Sequence, residues 1–135
     1  MRIMTQASFP TAPTKDALER GEVLSPRFDA SGLMPVITTH AESGQVLMLG
    51  YMNAEALAQT LELGEVVYFS RSRGAIWHKG ATSGQIQKVV EMRVDCDQDC
   101  VWLKVLPQGD GGACHVGFRS CFYRAVEDGK LVERP

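Results

Sequence analysis

From Leu33 onward the chain breaks into short apolar, β-branched runs separated by turn residues, and no other feature restricts the fold as much. The runs cover 34–39, 45–51, 66–69, 86–94, 101–106 and 121–126. Segments this short and this rich in Val, Ile, Tyr and Phe suit strands rather than helices. Glu42-Ser43-Gly44 reads as a hairpin turn, and Gly74, Gly80, Gly84 and the loop Gln108-Gly109-Asp110-Gly111-Gly112 interrupt the later runs. One stretch is helical in pattern. Asn53 is a good N-cap, Ala54, Leu57, Ala58 and Leu61 fall on one face, and Gly64 sits where a C-terminal glycine belongs. The expectation is a mainly antiparallel β-domain with one capping helix, closed in part as a barrel or packed in two layers.

A chain of 135 residues is the size of one domain and can bury a core without disulfides. Pro10, Pro13 and Pro26 surround a short polar helix candidate, Lys15 to Arg20, ending at Gly21; residues 1–26 are read as a loosely held arm and 27–135 as the single domain. A net charge of -2 with both signs interspersed argues against nucleic-acid or membrane-surface binding and for a small partner. The first ten residues lack the apolar run of a signal peptide and no stretch has membrane-span length. A cytoplasmic, reducing setting is therefore expected, where four cysteines serve as ligands or nucleophiles rather than bridges.

Asp95-Cys96-Asp97-Gln98-Asp99 carries the densest chemistry. In an extended segment Asp95, Asp97 and Asp99 share one face and Cys96 the other. Carboxylates suit a hard cation such as Mg²⁺, thiolates a borderline one such as Zn²⁺. A solvated acidic strand or turn is the plainer alternative. An EF-hand is excluded, because its sixth and twelfth positions would hold Cys100 and Leu106 instead of Gly and Glu.

Cys96, Cys114 and Cys121 are widely spaced with no CxxC, which disfavours a finger or ribbon. Three protein ligands and one open position is instead the arrangement of a catalytic zinc, whose bound water has a pKa near 7. Cys100 leaves a four-thiol structural site open, although a buried filler thiol is the simpler reading for it. His115, beside Cys114, is a candidate general base, with a structural hydrogen-bonding role as its alternative. His78 has the same two readings, and His40 belongs to the surface. Ser70-Arg71-Ser72-Arg73-Gly74 and Lys79-Gly80-Ala81-Thr82-Ser83-Gly84 gather cations, hydroxyls and small residues of the kind that cradle phosphate; Arg119 and Arg124 add charge beside Cys121.

These segments, together with Tyr51-Met52-Asn53-Ala54-Glu55-Ala56-Leu57, Trp77-His78-Lys79-Gly80 and Arg119-Ser120-Cys121-Phe122-Tyr123-Arg124, occur in the order found in one family. The chain resembles phosphoribosyl-AMP cyclohydrolase, the histidine-biosynthesis enzyme that opens the adenine ring of 1-(5-phosphoribosyl)-AMP. The resemblance implies a partly open β pseudobarrel capped by a helix, Mg²⁺ at Asp95, Asp97 and Asp99, and Zn²⁺ at Cys96, Cys114 and Cys121. It also implies a homodimer in which Cys96 completes the zinc site of the partner. His115 becomes the candidate base, and Arg71, Arg73, His78, Lys79, Ser83, Arg119 and Arg124 the candidate substrate contacts. Val116 and Phe118 depart from the family pattern, which has Thr and a basic residue there. A zinc-dependent purine deaminase is the rival enzyme, but its H-x-E and P-C-x-x-C signatures are absent. A non-catalytic zinc-stabilised binding module is the rival outside catalysis, and needs a fourth ligand.

Overall fold

The computed structural model describes residues 8–135; the first seven residues of the arm lie outside the described residues. Strand β1 (Met34–His40) pairs antiparallel with β2 (Val46–Met52) through the turn read from the sequence, with Ile37 opposite Leu49. Helix α2 (Ala54–Leu63) follows at once, its Asn53 carboxamide accepting a hydrogen bond from the Ala56 amide at 2.8 Å and its C-cap Gly64 left-handed at φ 69°. The short helix α1 (Lys15–Arg20) lies in the arm.

A hairpin of β3 (Val67–Ser70) and β4 (Ala75–His78) comes next. Then β5 (Gln87–Val94) and β6 (Val101–Pro107) pair antiparallel, and a C-terminal hairpin joins β7 (Arg124–Glu127) to β8 (Lys130–Glu133). The main sheet runs β2-β1-β6-β5 and is open. Its buried face alternates as period two requires: Met34, Val36 and Thr38 on β1, Val101, Leu103 and Val105 on β6. Leu57 of α2 and Val67 and Tyr68 of β3 close over that face, each fully buried and each of the aliphatic side chains contributing roughly 1.5–3 kcal/mol. The polar groups among them are paired. Thr38 donates to the Tyr68 hydroxyl at 2.7 Å, which donates to Gln87 Oε1 at 2.6 Å, and burial holds the phenol well above its usual range.

The mainly β, open architecture capped by a helix agrees with the sequence reading, and several local readings change. The contact of β1 with β6 is parallel, a pairing of strands some sixty residues apart that no local pattern encodes. The run 121–126 becomes strand only at Arg124, because Cys121 is held in a loop by its amide bond to Leu47 O at 2.7 Å. Trp77-His78 forms part of β4, a strand that the sequence runs do not include, and the charged β8 carries no alternating pattern to announce it. Among the described residues of the arm, Phe9 packs on the core and Ser25 is buried, and Phe28 just after the arm packs there too.

Candidate active site

Two sites take shape at opposite ends of β5. The first is a cleft of about 680 Å³ lined by residues of β4, the glycine-rich turn after it and the loop 113–121. That loop folds on itself through Ala113 N–H to Arg119 O and Cys114 N–H to Phe118 O, both 3.2 Å, and is tied to β2 by Ser120 Oγ donating to Val46 O at 2.6 Å. The fold-back sets Cys114 and Cys121 side by side. Burial, and then the Cys114 sulfur beside it, push the Cys121 thiol above its usual value, while the Lys79 ammonium pulls the other way. The Val116 amide donates to the Cys114 sulfur at 3.5 Å.

Lys79 is 4% exposed, its Nζ 5.4 Å from the Trp77 ring centroid. Burial lowers its pKa, opposed by Cys121, Asp110 and Cys114. A buried ammonium facing two sulfurs and a carboxylate is built to meet negative charge. The turn that delivers it has no room for a side chain at Gly80, where φ is 84° and a Cβ would stand 2.1 Å from the Ile86 nitrogen. His78 also lines the cleft and shares a hydrogen bond of 2.8 Å with Glu65 Oε1, so one ring nitrogen is committed. Arg73, Ser83 and the exposed His115 complete the wall.

The second site is the turn between β5 and β6. Asp95 to Asp99 do not continue the strand; the chain turns because the Asp95 carboxylate accepts from the amides of Asp99 at 2.9 Å and Cys100 at 3.2 Å. Strand parity therefore does not apply, yet the carboxylates converge, with ligand oxygens of Asp95, Asp97 and Asp99 all within 4.8 Å of one another. Burial raises the Asp95 pKa, but hydrogen bonds with the Asp99 side chain and the two amides outweigh it and hold the group below its usual range. Hydrogen bonds with the Asp95 and Asp97 carboxyls push Asp99 up to about 6. Three carboxyls this close resist joint ionisation, a cost that a bound cation would offset. The donors are all hard oxygens and fit Mg²⁺.

Among the predicted site residues, the cleft gathers Arg73, His78, Lys79, Ser83, Cys114, His115 and Cys121. Cys96 and Cys100 stand with the aspartates at the other end of the sheet, so the four thiols of one chain do not converge. Arg71 lies outside the cleft wall, its guanidinium 4.0 Å over the Tyr51 ring; Arg119 and Arg124 are exposed and do not line the cleft. Phe118 stacks on Tyr123 at 4.1 Å, which gives the departure from the family pattern a packing role. Two cleft features escape sequence reading. Glu65 meets His78 only through the β3–β4 hairpin, and Asp110 reaches Gln85 at 2.8 Å across 25 residues.

A family model described as phosphoribosyl-AMP cyclohydrolase matches residues 48–123, a span that contains both sites. The chain belongs to the phosphoribosyl-AMP cyclohydrolase family. It is 62% identical to the phosphoribosyl-AMP cyclohydrolase of Caulobacter sp. (strain K31), covering 97% of this chain and 98% of that protein. The proteins of the same name from Caulobacter vibrioides (strain NA1000 / CB15N) and Rhodopseudomonas palustris (strain BisA53) are 62% and 57% identical, over 97% and 90% of this chain and 94% and 82% of theirs. The chain is an enzyme of histidine biosynthesis, and no helix among the described residues is long and apolar enough to cross a membrane.

Proposed function

We propose that the cleft around Cys114 and Cys121 is where this cyclohydrolase hydrolyses the N1 to C6 bond of 1-(5-phosphoribosyl)-AMP, yielding the phosphoribosyl-formimino-aminoimidazole carboxamide ribonucleotide. The observation that carries this assignment is the pairing of those two thiols beside a buried ammonium in a concave, hydroxyl-bearing pocket. Cys114 and Cys121 are two ligands of a Zn²⁺ site, and the third is Cys96 of the partner subunit in a homodimer. The separation within one chain supports a shared site, since β5 from Gln87, just after the cleft residue Gln85, to Val94, just before Cys96, spans seven steps, roughly 23 Å. When bound there, zinc supplies a Lewis acid that activates water for attack on C6.

The chain's own groups do the rest. Attack at C6 needs a proton removed from water and one delivered to N1 as its bond breaks; His115, exposed at the mouth of the cleft, takes the first role. His78, oriented by Glu65, and Ser83 hold the nucleotide, while Arg73 and Lys79 meet phosphate charge. Arg71, Arg119 and Arg124 attract it from outside. Asp95, Asp97 and Asp99 would hold Mg²⁺ and, carried with Cys96 to the cleft of the other subunit, would supply positive charge beside the phosphorylated substrate. The unbridged cysteines support work in the reducing cytoplasm.

Cys114→Ser tests the assignment through zinc content and the ultraviolet change on ring opening. Both fall to background; near wild-type values of both would overturn the zinc reading. His115→Asn retains zinc and loses about 10²–10⁴-fold in kcat.

A further inference from the structure

Gln98 stands between two of the three clustered aspartates and points the other way. It is 5% exposed, and its backbone has φ 56°, a left-handed conformation that side chains other than those of Gly, Asn and Asp seldom adopt. Its carboxamide is bonded at both ends to the N-terminal arm, where Oε1 accepts from the Ser25 amide at 2.7 Å and Nε2 donates to Leu18 O at 2.9 Å. Its carbonyl accepts from the Arg27 amide at 2.7 Å, and its own amide donates to Asp95 O at 3.0 Å. Every donor and acceptor of the residue is thereby tied either to the arm or to the turn. The partners, Leu18 and Ser25 of the arm and Arg27 directly after it, lie 71 to 80 positions away in sequence, so the contact is tertiary.

We propose that Gln98 is a positioning residue that locks the aspartate turn onto the docked arm, so that the arm fixes the spacing of the Asp95, Asp97 and Asp99 carboxylates for their cation. The consequence rests on the reading of that cluster as the Mg²⁺ site. Asp97 and Asp99 are the immediate neighbours of Gln98, so rotation of its backbone out of the left-handed region swings both carboxylates. Asp95 is held from within the turn by the two amides it accepts from, and needs no help from the arm. The arm therefore governs two of the three candidate ligands.

Gln98→Gly separates this role from backbone preference, because glycine accepts the same φ without strain and lacks only the carboxamide. Gln98→Asn tolerates the conformation but is one methylene short. In the full chain, Mn²⁺ alone is titrated into wild type, both variants and Asp97→Asn, and amide hydrogen exchange is followed at residues 25–27 and 95–100. Both Gln98 variants lose about 10-fold or more in Mn²⁺ affinity, a usual cost of removing an outer support of a metal site. Exchange speeds up in the arm and the turn together. A lowered affinity in Asp97→Asn with none in Gln98→Gly overturns the clamp alone; equal binding by wild type and Asp97→Asn overturns the magnesium reading itself. Should the variants fold poorly, wild-type exchange in mild urea decides instead. The clamp requires both segments to open as one unit with one denaturant dependence, and separate opening would overturn it.

Discussion

Gly50 lies in the middle of β2, and a Cβ added there would stand 2.7 Å from Cδ1 and 2.9 Å from Cε1 of Tyr68. The ring cannot step aside, because it is 1% exposed, lies 5.6 Å from Trp77 between centroids, and is bonded at its hydroxyl to Thr38 and Gln87. Gly50→Ala therefore overpacks the core and costs about 1–3 kcal/mol in denaturant unfolding, while Gly32→Ala, with nothing within 4 Å, shows only the cost of its positive φ. An unchanged unfolding midpoint in Gly50→Ala would mean that the Tyr68 network gives way freely. At this scale the sequence reveals chemistry better than role. Cysteines and clustered aspartates attract notice because they are costly to place without a purpose, whereas nothing in the sequence distinguishes Gln98 or Glu65 from ordinary polar residues. Their meaning comes from partners brought near by the fold.

The elements divide in the same way. Strands β1 and β6 are legible because each alternates between a buried and an open face over most of its length, β2 because it is a short apolar run after a turn, and α2 because both caps are written in Asn53 and Gly64. The partnership of β1 with β6 is not legible, since it depends on the whole chain between them. Nor is the irregularity in β5, where the register with β6 shifts between Val89 and Glu91. Beyond that shift Glu91 accepts from Arg93 Nε at 2.7 Å and meets Lys104 Nζ at 3.1 Å. The Arg93 hydrogen bond, then the one from Lys104, hold its carboxyl below its ordinary 4.5. A depressed carboxylate adds stability that is complete above the unfolded value and disappears as pH falls through the folded one. Glu91→Gln consequently melts below wild type at pH 7, and the two melting temperatures converge as pH falls through the lowered value of the folded carboxyl. Because the pair is exposed, the gap also shrinks in high salt. A constant gap across that range would show that packing of the side chain, not its charge, matters.

Considered as a whole, the molecule has one sheet face buried and one open. Leu49, Ile37 and Trp102 stand opposite one another across β2, β1 and β6, and are 49%, 36% and 37% exposed. Cross-strand neighbours share a face, so these three form an apolar row in solvent, continued on β5 by Arg93 opposite Trp102. A sheet with such a face suits a second copy, and a second copy is what the proposed zinc site needs, because Cys96 cannot reach Cys114 and Cys121 of its own chain. The two ideas can be tested together by complementation. Cys96→Ser and Cys121→Ser are each inactive alone. In a dimer of one with the other, the first protomer keeps Cys114 and Cys121 and receives an intact Cys96 from the second, while the other site lacks two ligands. Random exchange makes about half the dimers mixed, each with one sound site of two, so an equimolar mixture recovers about a quarter of wild-type activity. A mixture of Cys114→Ser with Cys121→Ser recovers none, since both lesions fall on the same side of the shared site and every mixed dimer has two damaged sites. Recovery in neither mixture, with subunit exchange verified by mass, would overturn the sharing of the site between subunits, whereas full activity of Cys96→Ser alone would leave Cys96 without a place in the zinc site.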